Sequence, residues 1–284
     1  MKLGAHVGLL ALAAIAAAPA ALASPVGTPS LLLPAVQLGI GSVLRNLEFL
    51  ADGTIRACDG SVRSCDGSVI PSTGWVLGDG SVRLRSPIVM FGDGSVRAGD
   101  GSVIPTGQDG VAQDALALRQ LGFSANPFIQ GAVSVTDNGT PTNFLVTFGG
   151  PLSLGATNFT YALTGSATLT DATGDGVSMT AQSLLGLPTA GLIAGGIDGV
   201  GVAVTGSTLT GSGTTVLPTA SGVGNCVACA VQVLAMAISG SGFGDQYAVT
   251  GTFDITEPTS VPAPAPLGLL ATGLVLLGLV RRRG

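Results

Sequence analysis

GAVSVTDNGTPTNFLVTF, residues 131–148, decides the fold. Val133 and Val135 alternate with smaller or polar residues up to Asp137-Asn138-Gly139, and Phe144, Val146 and Phe148 resume the alternation beyond it. A period of two marks a strand buried on one face, and Asn-Gly supplies the positive φ that tight turns need. The same pattern continues through Tyr161, Leu163 and Leu169, through Val177 and Met179, and through Val200, Val202 and Val204. It returns in Val231 and Val233, then in Val249, Gly251, Phe253 and Ile255. Short Thr- and Val-rich segments parted by glycine predict an all-β, antiparallel, jelly-roll-like β-sandwich over residues 123–256.

Upstream the pattern changes. In GVAQDALALRQLG, Val111, Ala115, Leu118 and Leu121 share one face of a helix and Gly122 would end it, which predicts a short helix over 108–122. Residues 24–50 form a separate N-terminal segment, with Pro25 and Pro34 near its start and QLGIGSVLRNLEFLADG readable as one amphipathic helix or a strand. Between them, residues 51–107 repeat the unit Asp-Gly-Ser-Val-Arg, its aspartates falling at 52, 59, 66, 79, 93 and 100. Asp-Gly sets a tight turn, and Ser-Val-Arg is an extended arm with Val on one side and Arg on the other. Stacked copies make a small β-solenoid or a run of narrow hairpins; a duplicated, loosely ordered linker is the alternative, because one Val per unit buries little area.

The composition excludes several chemistries. The one His, His6, and the one Lys, Lys2, lie within the first 23 residues, so the rest of the chain has neither imidazole nor ammonium side chains. A Ser-His-Asp or Cys-His nucleophile, a histidine metal site and a Schiff-base lysine are thereby ruled out there. The arginines between the two ends are Arg45, Arg56, Arg63, Arg83, Arg85, Arg97 and Arg119, and residues 120–262 carry seven acids with no base. Nucleic-acid binding, which needs clustered Lys and Arg against phosphates, is not expected. Paired aspartates of the glycosidase kind are the one catalytic route left open, and turn-forming Asp is the plainer explanation of each. No catalytic residue, cofactor or metal ligand is assigned.

Two features invite a metal. Asp171-Ala-Thr173-Gly-Asp175-Gly176 matches the first, third, fifth and sixth positions of an EF-hand loop, but Gln182 stands where the bidentate Glu belongs, and a hairpin turn is the expectation. The cysteines Cys58, Cys65, Cys226 and Cys229 allow three pairings, of which the local ones, Cys58 with Cys65 and Cys226 with Cys229, are favoured in an oxidising exterior. The Cys-Val-Ala-Cys spacing also fits a redox pair or half a zinc site, against which Val231, Val233 and Ala235 continue it as a strand.

The ends say where the chain goes. Lys2, an apolar run and Ala21-Leu22-Ala23 before Ser24 make residues 1–23 a secretory signal peptide, read by signal peptidase. At the other end, VPAPAPLGLLATGLVLLGLVRRRG joins a proline-bearing junction, Val261-Pro262-Ala263-Pro264, to a mostly apolar stretch from Leu267 to Val280 and a basic end, Arg281-Arg282-Arg283. Those 14 apolar-rich positions reach about 21 Å as a helix, short of the roughly 30 Å of a bilayer core. The arginines would stay in the cytoplasm and the folded part outside.

This tail, residues 257–284, resembles the PEP-CTERM sorting signal of Gram-negative bacteria. It departs from that family at Ala263, where Glu usually stands. The resemblance implies membrane anchoring by the 267–280 helix, then cutting near the motif by an exosortase, a membrane transpeptidase, and transfer to the cell surface or exterior, commonly in bacteria that make exopolysaccharide. An ordinary anchor that is never cut is the alternative. The expected protein is therefore an exported, surface-displayed or matrix component whose β-domain is structural or adhesive and not an enzyme, with exopolysaccharide as a partner. A carbohydrate-binding module is the runner-up, with Trp75, Tyr161 and Tyr247 as its candidate stacking platforms. Ice binding, on a flat Thr array, belongs to the same class, and a carboxylate-pair hydrolase stands behind both.

Overall fold

A computed structural model describes residues 35–49, 54–59, 69–70, 74–76, 82–84, 86–98, 113–124, 128–152, 154 and 157–257. The signal-peptide residues Ala21, Ala23 and Ser24, the whole sorting motif with its 267–280 helix, Cys65 and most of the Asp-Gly-Ser-Val repeats lie outside these residues. In chain order the strands begin with β1 (Ala35–Ile40), β2 (Val43–Phe49), β3 (Ile55–Asp59), β4 (Val69–Ile70), β5 (Gly74–Val76), β6 (Val82–Leu84), β7 (Ile88–Phe91) and β8 (Val96–Ala98). The long strands β9 (Ala115–Ser124), β10 (Phe128–Asp137), β11 (Asn143–Pro151) and β12 (Asn158–Thr170) follow. Next come β13 (Ser178–Met179), β14 (Gln182–Ser183), β15 (Ala190–Gly191), β16 (Ile193–Ile197), β17 (Val200–Thr205), β18 (Leu209–Thr210), β19 (Gly213–Val216) and β20 (Ala220–Asn225). The chain closes on β21 (Val231–Ser239) and β22 (Asp245–Thr256).

The described residues are all-β, and their strand pairs are antiparallel. One sheet of eight strands runs β17-β16-β21-β11-β1-β2-β3-β4. The other, of ten, runs β19-β12-β22-β10-β9-β6-β5, with β20 beside β12 and the β7–β8 hairpin beside β9. Inward side chains of both sheets form one core: Leu38, Phe144, Phe148 and Met236 from the first meet Phe123, Leu163, Val249 and Phe253 from the second.

Glycine and phenylalanine interlock across that core. A Cβ on Gly131 of β10 would lie 2.5 Å from the ring of Phe148 on β11, and one on Gly195 of β16 would lie 2.5 Å from Phe253 on β22. Gly150 of β11 faces Phe123 of β9 in the same way. Each ring fills the space a missing side chain leaves, so a chain with 45 glycines and nine phenylalanines builds a close-packed interior from few large residues.

Three expectations are corrected. There is no helix among the described residues of 108–122; from Ala115 the chain is β9, hydrogen-bonded to β10. The β9–β10 register slips between Ala132, opposite Gln120, and Val133, opposite Leu118, leaving Arg119 as the extra residue of a bulge. Leu116 and Leu118 before the bulge and Leu121 and Phe123 after it all point inward, so the three-residue step from Leu118 to Leu121 imitates a helical turn. Nor does the described part of the N-terminal segment, 35–49, stand apart from the β-domain: β1 pairs with β11 and, through the two-residue turn Gly41-Ser42, with β2. Gly41 sits at φ 58, as the first position of such a turn demands. Finally, the Asp171 turn makes no hairpin, since β12 pairs with β19, β20 and β22 while β13 pairs with β18.

One repeat unit is described in full, GDGSVRA at 92–98, and its Asp93-Gly94 is the tip of the β7–β8 hairpin. Gly94 takes φ 81, its amide donates to the Phe91 carbonyl at 2.8 Å, and the Ser95 amide donates to Asp93 Oδ1 at 2.8 Å. Hydrogen bonding from Ser95, its side chain first and then this amide, holds the Asp93 carboxyl below its ordinary range. Arg97 on the returning arm lies over the Phe91 ring, 4.3 Å from its centre.

Candidate functional site

Four acidic residues scattered in sequence, Asp114, Asp137, Asp171 and Asp245, come together at one rim of the ten-stranded sheet. Asp137 ends β10 and stands opposite Asp245, which begins β22. On the other side of β22, Thr170 of β12 stands opposite Gln246, so the next step of the ladder brings Asp171 beside Asp245. Three aspartates thus form a row across three neighbouring strands. Asp137 and Asp245 are wholly buried.

Loops close over the row. Asp137 Oδ2 accepts from the amides of Thr142 at 3.2 Å and Gly242 at 3.0 Å. Asp245 Oδ1 accepts from the Ala172 amide at 3.3 Å, and its Oδ2 accepts from the Ser241 hydroxyl at 2.6 Å. Tyr247, 2% exposed, accepts a bond from the Ser241 amide at 2.7 Å. Burial raises the Tyr247 phenol above its usual range, with Asp245 and Asp137 adding to it. Asp114, just before β9, takes the Asn138 amide at 2.9 Å and the Thr142 hydroxyl at 3.1 Å.

One atom in this network is left over. Asp137 Oδ1 is buried without a hydrogen-bond partner. Burial first, then the charges of Asp114 and Asp245, push the Asp137 carboxyl up to about 6, against the pull of the Thr142 and Gly242 amides.

The loop 171–176 folds around Asp171. Its Oδ1 accepts from the amides of Thr173 at 3.2 Å and Gly174 at 2.6 Å, and its Oδ2 accepts from Gly176 at 2.9 Å, which together hold the carboxyl below its ordinary range. The Thr173 hydroxyl donates to Asp175 at 2.5 Å. One oxygen each from Asp171, Asp175 and Asp245 lies within 4.8 Å of the others.

The ten-stranded sheet also presents a polar outer face. Ser134 and Thr136 of β10, Thr168 and Thr170 of β12, and Gln246 line an open concavity of about 310 Å3, into which Arg119 projects from the β9 bulge. Arg119 Nε donates to Ser134 Oγ at 2.6 Å, and hydroxyls pair across strands at Ser166–Thr250, 2.8 Å, and Thr168–Thr214, 2.9 Å.

The residues singled out from sequence are distributed as follows. Cys226 and Cys229 form a disulfide with their Cα atoms 5.9 Å apart, and Cys58 is also disulfide-bonded. Asp198 approaches the Cys226–Cys229 pair, but joined sulfurs offer no thiolate for a metal. Tyr247 is enclosed in the acidic rim and Tyr161 packs between Phe159 and Phe253, ring centres 6.5 and 6.3 Å away, so these two make no open stacking surface. Trp75 lies in β5, near the far edge of the sheet from β12. The Asp137–Asp245–Asp171 row was missed from sequence because only strand register creates it; the turn signals at Asp137-Asn138-Gly139 and Asp171 marked its members separately. Among known proteins, no family model matches the chain and no curated sequence matches it.

Proposed function

We propose that this is an exported, surface-displayed or matrix protein whose β-domain, a jelly-roll-like sandwich, serves a structural or adhesive role and no catalytic one. The observation that carries the reading is the pair of chain ends: a signal peptide cut after Ala23, and the Val261–Pro264 junction, apolar 267–280 stretch and Arg281–Arg283 that resemble an exosortase substrate. The fold supports it. Antiparallel sheets closed on a dry core and a disulfide at Cys226–Cys229 suit an oxidising exterior. Asp137 and Asp245, the carboxylates that face each other across β10 and β22, are wholly buried and bonded to loop amides, so that pair is not open to a substrate.

The intact mass of the protein recovered from the surface or medium of its host, with peptide mapping of both ends, tests the reading. Loss of residues 1–23 and of everything beyond the Val261–Pro264 junction is expected. A product retaining Arg281–Arg283 would overturn sorting by cleavage and leave a tethered domain.

A second reading, binding of exopolysaccharide, is favoured by the concavity at Arg119, where hydroxyl, amide and guanidinium groups converge on one open face. Retention on the host polysaccharide that Arg119→Ala abolishes would support it; equal retention of both proteins would place any binding elsewhere.

A further inference from the structure

At the acidic rim the fold gathers like charge without a compensating base. Like charges directly opposite on neighbouring strands are destabilising, and burying a carboxylate is costly unless it is paired. Here Asp137 and Asp245 face each other, both wholly buried, with Asp171 next in the row and Asp114 nearby. The charged groups acting on Asp137 are Asp114 and Asp245, both acids.

Two independent features point to what the rim holds. The first is the donor set: one carboxylate oxygen each from Asp171, Asp175 and Asp245 lies within 4.8 Å of the others, two from a short Gly-rich loop and the third from the start of β22. The second is Asp137 Oδ1, wholly buried, unpartnered, and carried by the residue that shares a sheet face with Asp245 as its cross-strand partner. A cation at the mouth of the row would balance that surplus.

The donors are hard oxygens. Neither imidazole nor thiolate is present, which disfavours zinc and copper. An irregular loop with Gly174 at φ 80 and Gly176 at φ 104 suits the larger, geometrically tolerant cation over magnesium, which demands a near-ideal octahedron. The EF-hand-like order Asp171, Thr173, Asp175, Gly176 is completed in space by Asp245, 70 residues on, in place of the glutamate that Gln182 does not supply.

We propose that the rim formed by the 171–176 loop and the start of β22 is a calcium site, with Asp171, Asp175 and Asp245 as carboxylate ligands and Asp137 behind them supplying further negative charge. Calcium ties the loop to the start of β22 and pins the crossing from β12 to β13. Extracellular modules of this kind bind calcium in the range of about 0.1–1 mM, so the site is filled outside the cell and empty before export.

The test uses the full-length protein stripped with chelator and then titrated with calcium, with magnesium as the control. At calcium roughly 100-fold above its dissociation constant, Tm is expected to rise by about 5–10 °C, and more than with equal magnesium. Terbium in place of calcium is expected to luminesce on excitation of Tyr247, whose hydroxyl lies 3.5 Å from Asp245 Oδ2. Asp175→Asn, at an exposed position, is expected to leave the chelated Tm within about 2 °C and to abolish both the calcium shift and the terbium signal. Absence of a calcium shift in the unaltered chain, or its full retention in Asp175→Asn, overturns the proposal. Neither result bears on processing of the chain ends, which the mass measurement decides separately.

Discussion

Phe253 of β22 stands over Gly195 of β16 so closely that a methyl group on Gly195 would lie 2.5 Å from the Phe253 ring. Neither position has room to change alone. Gly195→Ala forces the ring to move within a filled core and is expected to cost about 1–3 kcal/mol, while Phe253→Ala opens a cavity and costs about 3–5 kcal/mol. The two are coupled: in the Phe253→Ala background the added methyl enters empty space, so Gly195→Ala becomes neutral or stabilising. Urea unfolding of the four proteins measures the coupling, and strict additivity would show that the ring and the glycine do not share one space.

Phe243 occupies the left-handed region at φ 59, exposed, between Gly242 and Gly244. A bulky side chain there is strained, whereas glycine is not. Its amide donates to the Gly139 carbonyl at 3.1 Å, which fixes the conformation whatever the side chain. Phe243→Gly is therefore expected to raise stability by about 1 kcal/mol, strain relief outweighing the entropy that glycine adds to the unfolded chain. A fall in Tm would mean that the ring makes contacts that outweigh the strain.

The Cys226–Cys229 disulfide closes a loop of only a few residues between β20 and β21. Loop-closure entropy grows slowly with length, so so short a loop contributes about 2 kcal/mol at most. Replacing both cysteines with serine is expected to lower Tm by a few degrees and leave the antiparallel sheets intact by circular dichroism. Loss of the folded state would show instead that the bridge organises the approach to β21, the strand between β11 and β16.

Strand alternation is a local property, and it was legible: the inward positions Val133, Val135, Phe144, Val146, Phe148 and Phe253 are all buried as the two-residue period required. What misled was interruption of the period. The bulge at Arg119 shifts the alternation of β9 by one residue and turns Leu118 and Leu121 into an apparent helical pair. Turn chemistry was legible as turning but not as pairing. Asn138-Gly139 links β10 and β11, which lie in different sheets, and the Asp171 loop links strands that do not pair. The acidic rim depends on both, since Asp137, Asp171 and Asp245 meet only after three strands have found their register.

Asp137 makes the rim sensitive to pH when no metal is present. Its carboxyl, lifted from 3.8 to about 6 by burial and by Asp114 and Asp245, is protonated more readily in the folded chain than in the unfolded one. The sign follows: the stability linked to this group is full below about pH 4 and is lost as pH rises through about 6. At ~1.4 kcal/mol per pH unit, the loss by pH 7 is about 3 kcal/mol. Asp137→Asn keeps the shape, leaves an oxygen to accept from Thr142 and Gly242, removes the charge and places an NH2 where Oδ1 lacks a partner. In chelator, the variant is expected to unfold at higher denaturant than the unaltered chain at pH 7 and at nearly equal denaturant at pH 4. A gap that is constant across this range would show that Asp137 keeps the same charge throughout it.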